Sequence, residues 1–572
     1  MNILTQLPHQ FDRRYLPGEL DYSDWKNIEP FFKTLQERNV DSVEPLEQWL
    51  FDWSELNDVL NEEGSLRYIK MTCNTADKNL ESSYFEFLEK IAENIKTAND
   101  YLKHKFLDSV SRQSLDPKKY FVFNRSIQND VELFCEANVS LETEESKLSQ
   151  GYQKIIGALT VKFEGREQTL QQMKSYLEYP SRSQRKLAWE AVTERRLKEQ
   201  AHLEKIFEQL LKIREKIAIN AGFSSYRDFS FLRLERFDYK PQDCFSFHEG
   251  VETYVVPLAR KLQQLRAKEL NLKQLRPWDL NVDPKNRQPL KPFKNTSSLV
   301  NGCIGMVGRV DSRFSSFLEI MQDSKLFNLE SRKNKAPGGY QSTLSEARLP
   351  FIFMNSVGVD EDLRTLLHES GHALHVFATR QQPLGYYRHA PMEFCEVASM
   401  SMELLANKHL NVFYSNEEDL NRSHKKHLEG IVEILPWIAQ VDAFQHWIYT
   451  NPGHTALERR EKWVSLHQRF GGIEIWDGLE RALQCQWHRQ LHIFELPFYY
   501  IEYGIAQLGA LQVWFNSKND LRSAVSDYWS ALQLGGSRPL PELFSKAGIK
   551  FNFGPETIQP LMQMLEEELD HL

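Results

Sequence analysis

His368-Glu369-Ser370-Gly371-His372-Ala373-Leu374-His375 is the segment from which the rest of this 572-residue chain is read. On a helix, His368 and His372 lie four residues apart and project from one face, one turn above the other. Two imidazoles so placed share one Zn²⁺ at nitrogen distances of about 2.0–2.1 Å. Glu369 stands beside them, within reach of a proton on a zinc-bound water. This is the H-E-x-x-H spacing, in which the histidines bind metal and the glutamate acts as general base.

Working outward, Asn355 to Asp360 is turn-like, and Asp360 or Ser356 is expected to cap the following helix. Leu363, Leu366, Leu367, Ala373, Leu374 and Phe377 then form an apolar stripe at helical spacing, so the motif belongs on a buried helix. Gly371 inside that helix costs about 1 kcal/mol relative to Ala. Its presence points to close approach of another backbone or of a ligand. His375 faces the same way but is a poor third ligand. Seven residues rise about 10.5 Å along the axis, whereas ligand nitrogens on one zinc lie within about 3.5 Å of each other.

The third ligand is therefore expected on another element. The run from Pro391 through Glu396 to Leu405 is amphipathic and carries Glu393, Glu396 and Glu403 on roughly one face. Two histidines, one carboxylate and an open position make a hydrolytic zinc site. Spacing alone does not choose among the three acids. The other two are expected to hydrogen-bond a ligating histidine or to favour the helix N-terminus.

His-Glu-x-Gly-His-x-x-His, followed 24 residues after the second histidine by Glu-Val-Ala-Ser, resembles the thimet oligopeptidase and oligoendopeptidase F family of zinc metallopeptidases. The resemblance is strongest to the oligoendopeptidase F branch. Supporting stretches are Arg276 to Leu280, Gly338-Gly339-Tyr340, Pro350 to Asn355 and His492 to Tyr503; weaker similarity reaches back to Ala188-Trp189 and forward to Ala547-Gly548-Ile549, so the resemblance covers roughly the C-terminal two thirds. The resemblance implies that Glu396 is the third ligand of a single Zn²⁺ per chain. It implies a mainly α fold: an elongated helical two-lobed shell around a deep substrate channel, with a small β-sheet next to the zinc helix. It also implies that His492, Tyr500 and Tyr503 stabilise the transition state. One departure stands out. Thimet oligopeptidase has a glycine-rich loop between its histidine and its tyrosines, where this chain has Ile493 to Phe498, and one tyrosine of that set has no clear counterpart.

The residues themselves are compatible with those roles. Tyrosine hydroxyls and an imidazole donate hydrogen bonds to an oxyanion, and Tyr500 and Tyr503 share a helix face. Tyr499 reads more readily as a core aromatic. His488 and His492 are also four apart, but Arg489 between them repels a cation. β-structure is expected from Gly338 to Asn355. An edge strand at Phe351 to Met354 would pair with an extended peptide through its main chain. Gly339, Tyr340, Phe351 and Phe353 are on this reading the substrate-binding residues. A buried strand without a free edge fits the residues equally well, and the resemblance favours the edge.

Composition sets bounds. At 67.2 kDa, with 41% apolar and 12% aromatic residues, the chain buries a large core. A net charge of −9 argues against nucleic acid as the main partner. The six cysteines are scattered without a Cys-x-x-Cys pair, which favours neither a zinc knuckle nor a disulfide framework. The stretch Met1 to Gln10 lacks the basic and apolar regions of a signal peptide. Ile493 to Phe515 is apolar but interrupted by Glu495, Glu502 and Gln507, so a membrane span is not expected. A reducing cytoplasm fits these features. Tyr179 to Ser183 suggests a joint between an N-terminal helical lobe, residues 1–183, and a catalytic part, residues 184–572. The function expected is hydrolysis of short unstructured oligopeptides by a zinc-bound water, with Glu369 as base. Hydrolysis of a non-peptide amide by zinc, and peptide binding without turnover, are the alternatives.

Overall fold

The computed structural model describes residues 11–332, 334–336 and 338–572. The signal-peptide reading of Met1 to Gln10 falls outside them. The described chain is predominantly helical, with a two-stranded hairpin, Thr160–Phe163 and Arg166–Thr169, and one three-stranded sheet. Two compact units are interleaved along the sequence. The first comprises Met1–Glu132, Lys291–Glu417 and Gly509–Phe551; the second comprises Leu133–Leu290, Glu418–Leu508 and Asn552–Leu572.

A cut at residue 183 does not separate these units. The Tyr179 to Ser183 segment lies inside the second, where buried Arg185 donates to the Tyr179 and Pro180 carbonyls, both at 2.8 Å, and to Trp278 O at 3.0 Å. Composition marks a surface turn there, but packing continues through it. In the first unit the N-terminal helices Trp25–Glu37 and Val43–Cys73 share a core with Leu384 and Tyr387, which follow the motif helix.

The sheet of the first unit positions the motif. Its order is Phe327–Glu330, Leu349–Ser356, Tyr340–Leu344, with a parallel first pair and an antiparallel second. Leu349–Ser356 is thus the central strand, and Phe351 and Phe353 are fully buried. This corrects the expected edge at Phe351 to Met354. A continuous apolar run marks a strand covered on both faces, and here it is flanked on both sides as well. The outer strand beside it is Tyr340–Leu344.

From Ser356 the chain turns through Gly358, at φ +94°, into helix Asp360–Thr379, the motif helix. Neither Asp360 nor Ser356 caps it. The Asp362 carboxylate instead turns back and accepts the N–H groups of Val357, Gly358 and Val359 at 2.8, 2.7 and 3.0 Å. Three orphan donors of the turn and helix start are satisfied by one side chain, and Asp360, Glu361 and Asp362 complement the helix dipole. Asp360 accepts the Tyr414 hydroxyl at 2.5 Å. The stripe Leu363, Leu366, Leu367, Ala373, Leu374 and Phe377 is buried as its spacing predicts.

Helix Met392–Ala406, the acid helix, packs against the motif helix. A Cβ built on Gly371 would lie 2.5 Å from Ser399 Cα and 2.6 Å from Ala398 O. The glycine is therefore required by a backbone, not by a ligand. Behind the acid helix, Tyr528 donates to Ala398 O at 2.8 Å.

In the second unit two buried arginines fix the segment that carries the tyrosines. Arg214 pairs with Glu145 at 2.6 Å and donates to Phe494 O. Arg236 donates to Phe498 O and to Glu502 at 3.0 Å. Phe498 is fully buried at φ +68°, a left-handed conformation that side chains other than glycine rarely adopt. Helix Leu491–Glu495 and this turn lead into the tyrosines. Helix Ile501–Asn519 follows. Among the described residues, no helix is long and apolar enough to cross a membrane.

Candidate metal centre

The motif and acid helices bring His368, His372 and Glu396 together. One ligand atom from each lies within 4.8 Å of the others. His368 Nε2 is 3.3 Å and His372 Nε2 is 3.6 Å from Glu396 Oε2. Tetrahedral bonds of about 2.0–2.1 Å require ligand separations of about 3.4 Å, so the three atoms fit one zinc ion. Glu393 is buried but outside this cluster. The choice among the three acids follows from the rotation of the acid helix, which Gly371 sets by admitting Ser399 and Ala398.

Supporting contacts orient the cluster. Glu403 Oε1 is 2.7 Å from His368 Nδ1, which leaves Nε2 directed at Glu396. Ser399 Oγ donates to Glu396 Oε2 at 3.0 Å. Such partners fix ring tautomer and carboxylate direction around a metal. Burial pushes His372 down to about 4, so it is neutral, as a ligand must be. At His368 burial opposes protonation, but Glu396 and Glu403 outweigh it and raise the imidazole well above its usual value. The two carboxylates thus favour positive charge at this point, which a metal ion in place of the proton would supply.

Glu369 is buried beside the cluster, and burial pushes its carboxyl up to about 7. The main chain of Gln341, on the outer strand, acts against that rise. A neighbouring dication favours its charged form. His375 lies outside the cluster, with its ring against Phe394 at 6.2 Å. Burial lowers it to about 3, and Nε2 has no hydrogen-bond partner.

The four residues assigned to substrate sit differently from the expectation. Tyr340 turns its hydroxyl to Thr72 Oγ1 at 2.7 Å and stacks on Phe353 at 4.7 Å. Lys335 covers Phe353 at 4.3 Å. Phe351 and Phe353 are core residues of the central strand. Gly339 precedes the outer strand, next to Gly338 at φ +92°.

His492 and the tyrosines form a cluster within the second unit. The His492 ring lies 4.9 Å from Tyr500, 5.8 Å from Tyr503 and 5.7 Å from Tyr499. Gln490 Nε2 is 2.7 Å from His492 Nδ1. Burial pushes the Tyr500 phenol up to about 12, and Trp437 Nε1 donates to Gln490 Oε1 at 2.9 Å. Tyr503 is half-buried.

Ser399 and Gln341 were not singled out from the sequence. Ser399 was accessible there, since it stands three residues after Glu396. Gln341 acts through its backbone, which sequence does not mark. A second cluster, Cys244, Asp442 and His446, was also missed, although Asp442 and His446 repeat the four-residue spacing.

Comparisons with known proteins bear on this site. The sequence pattern described as Peptidase family M3 matches residues 175–559. The pattern described as Peptidase M3 N-terminal domain matches residues 19–134. Oligopeptidase PepF of Bacillus subtilis (strain 168) is 23% identical over 320 residues, which is 55% of this chain and 47% of that protein. The chromosomal oligoendopeptidase F of Lactococcus lactis subsp. cremoris is 21% identical over 407 residues, 70% of this chain and 65% of that protein. The chain thus spans about half to two thirds of these relatives' length. The solved structure of PZ peptidase A with inhibitor 2 superposes with a TM-score of 0.91 at 26% identity, covering 98% of this chain and 99% of that one.

Proposed function

Since the chain belongs to peptidase family M3, we propose that it is a zinc-dependent endopeptidase acting on short unstructured oligopeptides. The observation that carries this reading is the convergence of His368, His372 and Glu396 within 4.8 Å, with Glu369 buried beside them. His368, His372 and Glu396 would hold the ion. When bound, zinc supplies Lewis-acid polarisation and lowers the pKa of water toward 7.

The chain's own groups do the rest. Glu369 accepts the proton of the attacking water and delivers it to the leaving amine. Glu403 and Ser399 keep His368 and Glu396 aligned through the cycle. Resemblance assigns His492 and Tyr503 or Tyr500 to the oxyanion, where each donated hydrogen bond favours the tetrahedral intermediate over the substrate. Main-chain pairing with an extended substrate moves from the central strand to Tyr340–Leu344, the outer strand beside the motif helix. The channel that would exclude folded proteins, and a cytoplasmic setting, belong to the same proposal.

A mixed peptide library, incubated with the enzyme and mapped by mass spectrometry, tests it. Internal cleavages in short members are expected. Trimming confined to chain ends, or no peptide cleavage by zinc-loaded protein, would refute the endopeptidase reading.

A further inference from the structure

We infer that the second unit holds a structural zinc ion of its own, bound by Cys244, Asp442 and His446. The inference is independent of the proposed activity. Helix Pro241–Gly250 carries Cys244 and His248 four residues apart. Helix Glu417–Thr450 carries Asp442 and His446 four residues apart. Each pair therefore projects from one helix face. Cys244 Sγ, an Asp442 oxygen and a His446 nitrogen lie within 4.8 Å of one another. Zinc bonds of about 2.0–2.3 Å place such atoms about 3.3–3.6 Å apart. The 4.8 Å bound includes those separations.

The polar atoms at this point lack other partners. Asp442 Oδ1 and both ring nitrogens of His446 make no hydrogen bond, although His446 Nε2 lies 3.4 Å from Asp442 Oδ2. Cys244 and Asp442 are 0% exposed and His446 4%. Buried polar groups are ordinarily paired, so this set asks for a ligand. The surroundings are apolar: the His446 ring faces Phe245 at 4.9 Å, Phe498 at 5.2 Å and Phe231 at 5.9 Å.

The donor set selects the ion. Thiolate and imidazole with one carboxylate suit zinc and disfavour the hard cations magnesium and calcium. His248 Nε2 is 2.8 Å from Asp442 Oδ2. That bond aims the carboxylate and leaves Oδ1 for the metal, as outer partners of ligands do. Zinc binds the thiolate, so coordination by Cys244 would release the thiol proton to solvent. A metal-free His248–Asp442–His446 ion-pair network accounts for Asp442 Oδ2 alone; it gives Oδ1, His446 Nδ1 and Cys244 no role. The ion would tie the two helices together. It would also brace Phe498, whose N–H Gln445 accepts at 3.2 Å, and so the start of the segment carrying Tyr499, Tyr500 and Tyr503.

Zinc content per chain, measured by atomic emission after dialysis against a weak chelator, tests the inference. Wild type is expected to hold two ions. His368→Ala/His372→Ala is expected to hold one, because its second site is intact. Cobalt-substituted protein of that variant should show a thiolate-to-cobalt charge-transfer band in the near ultraviolet. Cys244→Ser, checked for folding by circular dichroism, should lose the band, and Cys395→Ser should keep it. One zinc in wild type with none in the motif variant would overturn the inference. So would absence of the band from the cobalt-loaded motif variant, a result that does not depend on whether Cys244→Ser folds.

Discussion

Glu396 is one of three acids on its helix, and only it meets both motif histidines. Glu396→Ala should therefore empty the motif site of zinc, while Glu393→Ala leaves it filled. Metal analysis on a background lacking Cys244 separates the two, and an empty Glu393→Ala with a filled Glu396→Ala would reverse the assignment. His368, His372 and Glu369 were legible because a four-residue spacing places side chains on one helix face whatever surrounds them. Glu396 was legible only through resemblance, because its selection depends on how two helices rotate against each other. A second expectation belongs to Tyr503. Tyr503→Phe removes one hydroxyl and should lower kcat by about 10²–10³ with little change in KM, as for loss of one oxyanion donor. Tyr500→Phe is the matched control, and a larger loss of kcat there would exchange the two roles. A fall in Tm with kcat unchanged in Tyr503→Phe would make Tyr503 a packing residue.

At the scale of elements, the contact between the motif and acid helices at Gly371 is tightly constrained. The obstacle to a side chain there is backbone, Ser399 Cα and Ala398 O, which no rotamer change relieves. Gly371→Ala should push the acid helix away and cost about 1–3 kcal/mol as overpacking does. It should also weaken zinc binding, because Glu396 moves with that helix. Denaturant unfolding with metal titration checks both, and unchanged stability would mean that the helices are not held this closely. The motif helix was readable from its apolar stripe, but its cap was not. Asp362 caps by reaching back, a pattern that resembles an ordinary first-turn acid in sequence. The strand was readable too, but its place in the sheet was not. Phe351 to Met354 carries apolar residues on both faces, the mark of a central strand, and that signal was outweighed by the expectation of an edge.

For the whole molecule, the interleaved units escaped sequence reading because contacts define them and composition defines only turns. The N-terminal helices share a core with Leu384 and Tyr387, some three hundred residues away in sequence. The zinc-oligopeptidase reading predicts a substrate-size limit. One sequence supplied as a short peptide should be cleaved far faster than the same sequence as an exposed loop of a folded host. Comparable rates would show an open site. The central claim is that zinc held by the motif works with Glu369 as base. Its most direct test is turnover of a quenched fluorescent oligopeptide by Glu369→Gln, with zinc measured on the same sample. The expected result is full zinc content with kcat reduced by about 10²–10⁴. Near-wild-type turnover by that zinc-loaded variant would contradict the account.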